Sequence, residues 1–208
     1  MVDGQGRRMV DGQGTAFAHK PVLDGGPVLL RPFTDEDIEA MGPVLADPEV
    51  LRLTGSVHDS AAAAAASPRI DEATAACYRG RAAQPDRLDL AVVDAEGGGC
   101  VGEIVLNEWE PANQSCNLRM LIGPGGRDRG LGTAALRTLL GYAFTETELF
   151  RIGLEVYAFN PRAQRVYEKA GFEVEGLRRA ALVYDGQRID AVCMGLLLPD
   201  WMAGGGAA

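Results

Sequence analysis

The stretch RDRGLG, Arg127 to Gly132, sets two arginines and two glycines at the junction between an apolar run and a helical pattern. A strand that turns through glycine into a helix makes an anion site: the first helical N–H groups lack intrahelical partners, and the helix dipole is positive there. Gly130 and Gly132 let backbone approach phosphate oxygens with no Cβ in the way, and Arg127 and Arg129 add charge-assisted bonds. The alternative for the same residues is a tight strand-to-helix connection with solvated arginines. Two phosphate ligands lose ground at once. The chain has no G-x-x-x-x-G-K-[ST] for a nucleoside triphosphate, and no G-x-G-x-x-G followed by an acidic residue for a dinucleotide.

The elements that must position this loop follow from periodicity. VLLRPF, from Val28, reads as a short strand, and DEDIEAMGPVLA after Thr34 has a helix N-cap, an acidic first turn and apolar spacing. Thr34-x-x-Asp37 reads as a capping box with Asp in place of Glu. SAAAAAASP reads as a small-residue loop before a second helix from about Ile70 to Ala82. The strands LDLAVVDA and CVGEIVLNEW follow, parted by a turn at Gly97 to Gly99, and NLRMLIG then leads to the loop. Beyond it Leu131, Ala135, Leu136, Leu139, Leu140, Ala143 and Phe144 fall at helical spacing. RIGLEVYA is a strand, PRAQRVYEKAG a helix that starts at Pro161 and is capped by Gly171, and ALVYDGQRIDAVCMGLLL a hairpin turned by Asp185-Gly186. The expected fold is α/β (α+β): a mixed, mostly antiparallel sheet of six to seven strands with about four helices.

Composition narrows what such a domain can do. At 208 residues, 47% of them apolar and 24% charged, the chain suits one globular domain, here residues 25–202. Residues 1–24, which carry MVDGQG twice, are expected to be a flexible segment, and 203–208 a flexible tail. A net charge of −9 argues against nucleic acid and anionic lipid as partners and is permissive for cationic substrates. Four widely spaced cysteines and two histidines make a metal site unexpected. No apolar run approaches the roughly twenty residues a bilayer needs, so the expected location is cytoplasmic.

RDRGLG is similar to the [Q/R]-x-x-G-x-[G/A] pyrophosphate loop of the GNAT acyltransferase superfamily. With GRDRGLGTAALRTLLGYAF followed by RIGLEVYAFNPRAQRVYEKAGFEVEG, the chain resembles the ribosomal-protein N-terminal acetyltransferase (RimJ/RimL-like) branch from about Val28 to Trp201. The resemblance implies a sheet that splays between the strand ending near Gly123 and the strand Arg151–Ala158, with the pantetheine arm of acetyl-CoA in the gap. It implies cofactor contacts at Leu121, Ile122, Arg127, Arg129, Gly130, Leu131, Gly132, Thr133, Asn160 and Arg162. Asn160 matches the asparagine that bonds the pantetheine arm, and Tyr167 the tyrosine near the thioester sulfur, where a phenol can serve as general acid.

The base is the poorly served role. Relatives often carry a glutamate in the strand before the loop, in a segment like RSAELGI, whereas QSCNLRM puts Asn117 there. An amide cannot act as a base. Glu103 is the candidate catalytic carboxylate, and Glu108 or Glu110 just beyond it could equally reach a water chain toward the amine; spacing singles out none of them, and the alternative for each is a solvated or hairpin-end carboxylate. A lysine-like amine is neutral at pH 7 only a few times in ten thousand, a cost of roughly 4–5 kcal/mol, against about 1 kcal/mol for an α-amine. A weak base therefore suits a peptide N-terminus or another low-pKa amine. The acceptor wall is expected from the first two helices, their link LRLTGSVHDSAAAAAASPRI and the final hairpin, with His58 a candidate lining residue and Trp109 and Tyr184 either wall aromatics or hairpin packing. Competing readings are a larger donor such as succinyl-CoA, with Arg119 on its extra carboxylate, and a non-catalytic acyl-CoA sensor. The exposed edge of the terminal hairpin suits a homodimer.

Overall fold

The computed structural model describes residues 17–206. One sheet of eight strands runs in the order β1-β2-β3-β4-β5-β6-β8-β7. The strands are β1 (Leu23–Asp24), β2 (Val28–Arg31), β3 (Leu88–Asp94), β4 (Cys100–Glu110), β5 (Ser115–Ile122), β6 (Arg151–Tyr157), β7 (Glu173–Tyr184) and β8 (Gln187–Leu197). Every pairing is antiparallel except β5 with β6. That parallel pairing holds only at Ser115↔Arg151, Cys116↔Ile152 and Asn117↔Gly153. Past Asn117 the strands part, so Leu118–Ile122 has β4 on one side and a gap on the other. The expected splay is present.

Seven α-helices cover the sheet: α1 (Asp35–Leu45), α2 (Pro48–Thr54), α3 (Ser60–Ala64), α4 (Glu72–Arg81), α5 (Leu131–Glu146), α6 (Pro161–Lys169) and α7 (Leu198–Ala203). Thr34 and Asp37 complete the capping box of α1 in both directions. In α5 the buried residues are Leu131, Ala135, Leu136, Leu139, Leu140, Ala143 and Phe144. They pack with Ile104, Leu106, Leu118 and Ile152 of the sheet as the main core. A second core, Ile38, Met41, Val44, Ala75 and Tyr78, joins α1 and α4 over the opposite face and includes Leu121 and Cys100 at its margin. Covered on both faces, β3 is buried along its whole length.

Four expectations are corrected. The alanine-rich stretch is a helix, α3, because Asp59 caps it by accepting from Ala62 N at 2.7 Å and alanine is the strongest helix former. The strand and helix counts rise to eight and seven with β1, α2, α3 and α7, which each bury at most one side chain and so leave little apolar pattern to read. Residues 17–24 belong to the fold: Phe17 is buried against Trp109, with ring centroids 5.9 Å apart, and β1 pairs with β2. At the other end, 203–206 finish α7, with Gly204 N bonding Asp200 O at 2.9 Å and Gly206 N bonding Trp201 O at 3.0 Å. The rest of the expected flexible ends, 1–16 and 207–208, lies outside the described residues.

Candidate active site

The gap opens into a cavity of about 600 Å³ bounded by α2, β4, β5, the loop before α5, β6, α6 and β7. Leu121, Ile122, Arg127, Gly130, Gly132, Thr133, Asn160, Arg162, Tyr167 and Glu103 all line it. Leu131 and Arg129 do not. Leu131 is 2% exposed and its side chain belongs to the main core, so only its backbone faces the loop. Arg129 turns away to Asp94 Oδ2 at 2.7 Å and Gly125 O at 3.0 Å.

The loop presents amides rather than free cations. Gly130 holds the left-handed N-cap position of α5 at φ +76°, and no side chain caps the helix. The first intrahelical bond of this turn runs from Ala134 N to Gly130 O. The N–H groups of Leu131, Gly132 and Thr133 are therefore left for an anion. Arg127, by contrast, donates to Asp47 Oδ1, to Glu49 Oε2 at 2.6 Å and to Ile122 O at 3.2 Å. Arg162 reaches Glu49 Oε1 at 3.1 Å and Asp128 Oδ1 at 3.6 Å. The charge of these arginines, expected from the sequence to neutralise a diphosphate, is thus shared with three carboxylates, which leaves the uncapped helix start as the unmatched positive group of the loop. Asp47 and Glu49, on α2 and its cap, are functional neighbours that sequence reasoning missed.

Asn160 caps α6 through Oδ1, which accepts from Ala163 N at 3.1 Å, and this leaves its amide N–H groups to donate into the cavity. Seven residues on, Tyr167 is 6% exposed, packs edge-on against Phe172 at 5.8 Å, and has its phenol pushed up to about 12 by burial. A phenol so placed keeps its proton at neutral pH.

Glu103 faces the same cavity from β4. In the antiparallel register it sits opposite Leu121, while Arg119 sits opposite Val105 and Asn117 opposite Asn107, so these six side chains share one sheet face. Glu103 is 6% exposed, and its Oε2 accepts from the Tyr78 hydroxyl at 2.8 Å and from Arg81 Nη1 at 3.4 Å. Desolvation raises its carboxyl pKa against the opposing pull of Tyr78, Arg81 and Arg119. Arg81 is in turn held by Asp89 at 3.3 Å and stacks on the Tyr78 ring at 4.2 Å. A buried, raised carboxylate is a stronger base than a solvated one. Asn117 donates to Asn107 Oδ1 at 3.1 Å and offers no acid.

The segment between α2 and α3 docks on the tip of the terminal hairpin. Asp185 N bonds His58 O at 3.0 Å, Ser60 N bonds Asp185 Oδ1 at 2.8 Å, and Arg52 lies over Phe159 at 4.6 Å. His58 is spent on the Val183 carbonyl at 3.1 Å and does not line the cavity. Nor do the two candidate aromatics. Tyr184 packs against Phe159 at 6.2 Å, and Trp109 packs on Phe17.

The profile of the acetyltransferase (GNAT) domain family matches residues 28–173. The chain belongs to the GNAT family. It is 28% identical over 120 residues to the spermidine N(1)-acetyltransferase of Escherichia coli K12, covering 58% of this chain and 63% of that one. It is 32% identical over 90 residues to the [ribosomal protein uS5]-alanine N-acetyltransferase of the same strain, covering 43% and 46%. The chain thus matches between about half and two thirds of the length of these relatives. The crystal structure of Vibrio cholerae spermidine N-acetyltransferase in complex with CoA and spermine superposes with a TM-score of 0.73 at 20% identity, over 85% of this chain and 98% of that chain.

Proposed function

We propose that this GNAT protein transfers an acetyl group from acetyl-CoA to a primary amine by direct attack, with no covalent enzyme intermediate. The reading rests above all on the gap between β5 and β6, with the uncapped start of α5, Asn160, Tyr167 and Glu103 on its walls. The unpaired edge of β5 from Leu118 to Ile122 offers backbone groups that must find partners, and a pantetheine arm carries the amides to supply them. The donor's thioester supplies the activated acyl group. Tyr167 then protonates the departing sulfur, and Glu103 takes the proton from the amine, directly or through water. The acceptor is a peptide α-amine, as in the ribosomal-protein branch, or a small-molecule amine. We place the protein in the cytoplasm; no described helix is long and apolar enough to cross a membrane. Val174 and Leu177, exposed on the edge strand β7, support a homodimer paired through that edge.

Thiol release from acetyl-CoA with short peptides, lysine analogues, polyamines and aminoglycosides, against a blank without acceptor, tests this. Acceptor-dependent release is expected. Tight acyl-CoA binding with no release for any amine would put the sensor reading in its place.

The pH profile tests Glu103. A base works only when ionised, and burial raises this carboxyl, so kcat/KM should climb through a limb above the ordinary carboxylate range. Glu103→Gln should remove that limb and leave the one that belongs to the acceptor amine. With an α-amine acceptor, whose deprotonation costs only about 1 kcal/mol, the loss at pH 7 should be about tenfold. An unaltered profile in the variant would assign the base elsewhere.

A further inference from the structure

Four arginines line the cavity: Arg119, Arg127, Arg162 and Arg178. Three of them are already matched. Arg127 has Asp47 and Glu49, Arg162 has Glu49 and Asp128, and Arg178 is bonded to Glu155. Arg119 has no hydrogen bond or ion pair among the described residues. It stands in the middle of β5, a central strand, yet it is exposed, and the pairing of β5 with β6 ends two residues before it. Its cross-strand neighbour is the apolar Val105. Glu103, two register pairs along and on the same face, feels it through space, but Oε2 of that acid is taken by Tyr78 and Arg81.

We infer that Arg119 is a carboxylate anchor within the reaction cavity, so that the ligand carries a carboxylate near the reacting centre, on the acceptor amine or on the acyl chain. A guanidinium is a rigid planar fork that binds a carboxylate through two parallel bonds, and no described residue supplies such a group to this one. Glu108 is the acid lining the same cavity that has no partner among the described residues. The pair presents one free cation and one free anion, which complements a ligand carrying both an ammonium and a carboxylate. A polyamine, cationic at every nitrogen, meets like charge at Arg119.

The inference rests on the acyltransferase reading for its assay, and two arms separate the sources. The acceptor arm compares amines that bear a carboxylate with their primary amides, using acetyl-CoA. The donor arm compares succinyl-CoA with butyryl-CoA, using amide acceptors. The wild type should favour the carboxylate by about tenfold in kcat/KM in one arm, which names the source. Arg119→Gln should bring that ratio close to one, and Arg119→Lys should keep part of it. If Arg119 acted only through the field at Glu103, both members of each pair would slow alike, and an unchanged ratio in both arms overturns the anchor. If no pair releases thiol, the acyltransferase reading fails by itself, and calorimetric binding of the same pairs still decides. A carboxylate preference lost in Arg119→Gln supports the anchor, and equal binding in both proteins overturns it.

Discussion

Tyr167→Phe should lower kcat by about a hundredfold while leaving acyl-CoA affinity within about threefold, since a positioned acid or base typically contributes 10²–10⁴. The substitution is selective for the hydroxyl. The ring keeps its edge contact with Phe172 and its place in the main core, and no described residue bonds the phenolic oxygen, so the fold loses no partner. Thermal stability should therefore stay close to wild type. Because burial pushes the phenol up to about 12, it remains protonated across the working range, and the wild-type rate should show no basic limb from this group below about pH 10. Turnover unchanged in the variant would remove Tyr167 as the acid, and a parallel loss of acyl-CoA binding would turn it into a wall residue instead.

The parts of this site that local pattern dictates were legible in the sequence. The seven buried positions of α5 follow from its period, and the glycine at its start follows from the need for a left-handed turn. Pro161 at the first position of α6 and Gly171 just past its end follow from helix-terminus preferences, whereas the roles of Asn160 and Tyr167 came only with the family resemblance. Helix α2 carries terminal signals in its sequence, Asp47 as N-cap, Pro48 at the first position and Gly55 in the left-handed C-cap, but only Val50 of it is buried. The charge state of the loop was not legible. Arg127 meets Glu49 across 78 residues and Arg162 meets the same acid across 113, and no local rule links positions so far apart. The same holds for Glu103, whose orientation depends on the β4–β5 register and whose partners Tyr78 and Arg81 come from a helix on the covering layer. Phe17 was lost for a related reason, as a single aromatic in a short segment has no period and is placed only by the tertiary contact it finds.

Because the arginines are matched, the start of α5 should dominate diphosphate binding, and Gly130→Asp should expose this as a loss of acyl-CoA affinity on the order of a hundredfold. Two unit charges 4 Å apart interact by about 4 kcal/mol at an effective dielectric near 20, and solvent at a half-open site reduces that. A Cβ at Gly130 would meet nothing within 4 Å, but φ +76° strains any side chain, Asp and Asn less than most, so either of these two carries a similar backbone cost. The carboxylate would lie against the free N–H groups of Leu131 to Thr133, which a helix start favours and which offsets part of that cost, so the variant should still fold. Gly130→Asn separates charge from shape, since it has the same outline and the same tolerance of the left-handed region but no charge. Its loss should be several-fold at most. Raising the salt should narrow the gap between the two variants, because only the charged one is screened. If Gly130→Asp bound acyl-CoA as tightly as the wild type, the diphosphate would have to sit away from this helix, and Arg127 and Arg162, released from Glu49, would become its receptors.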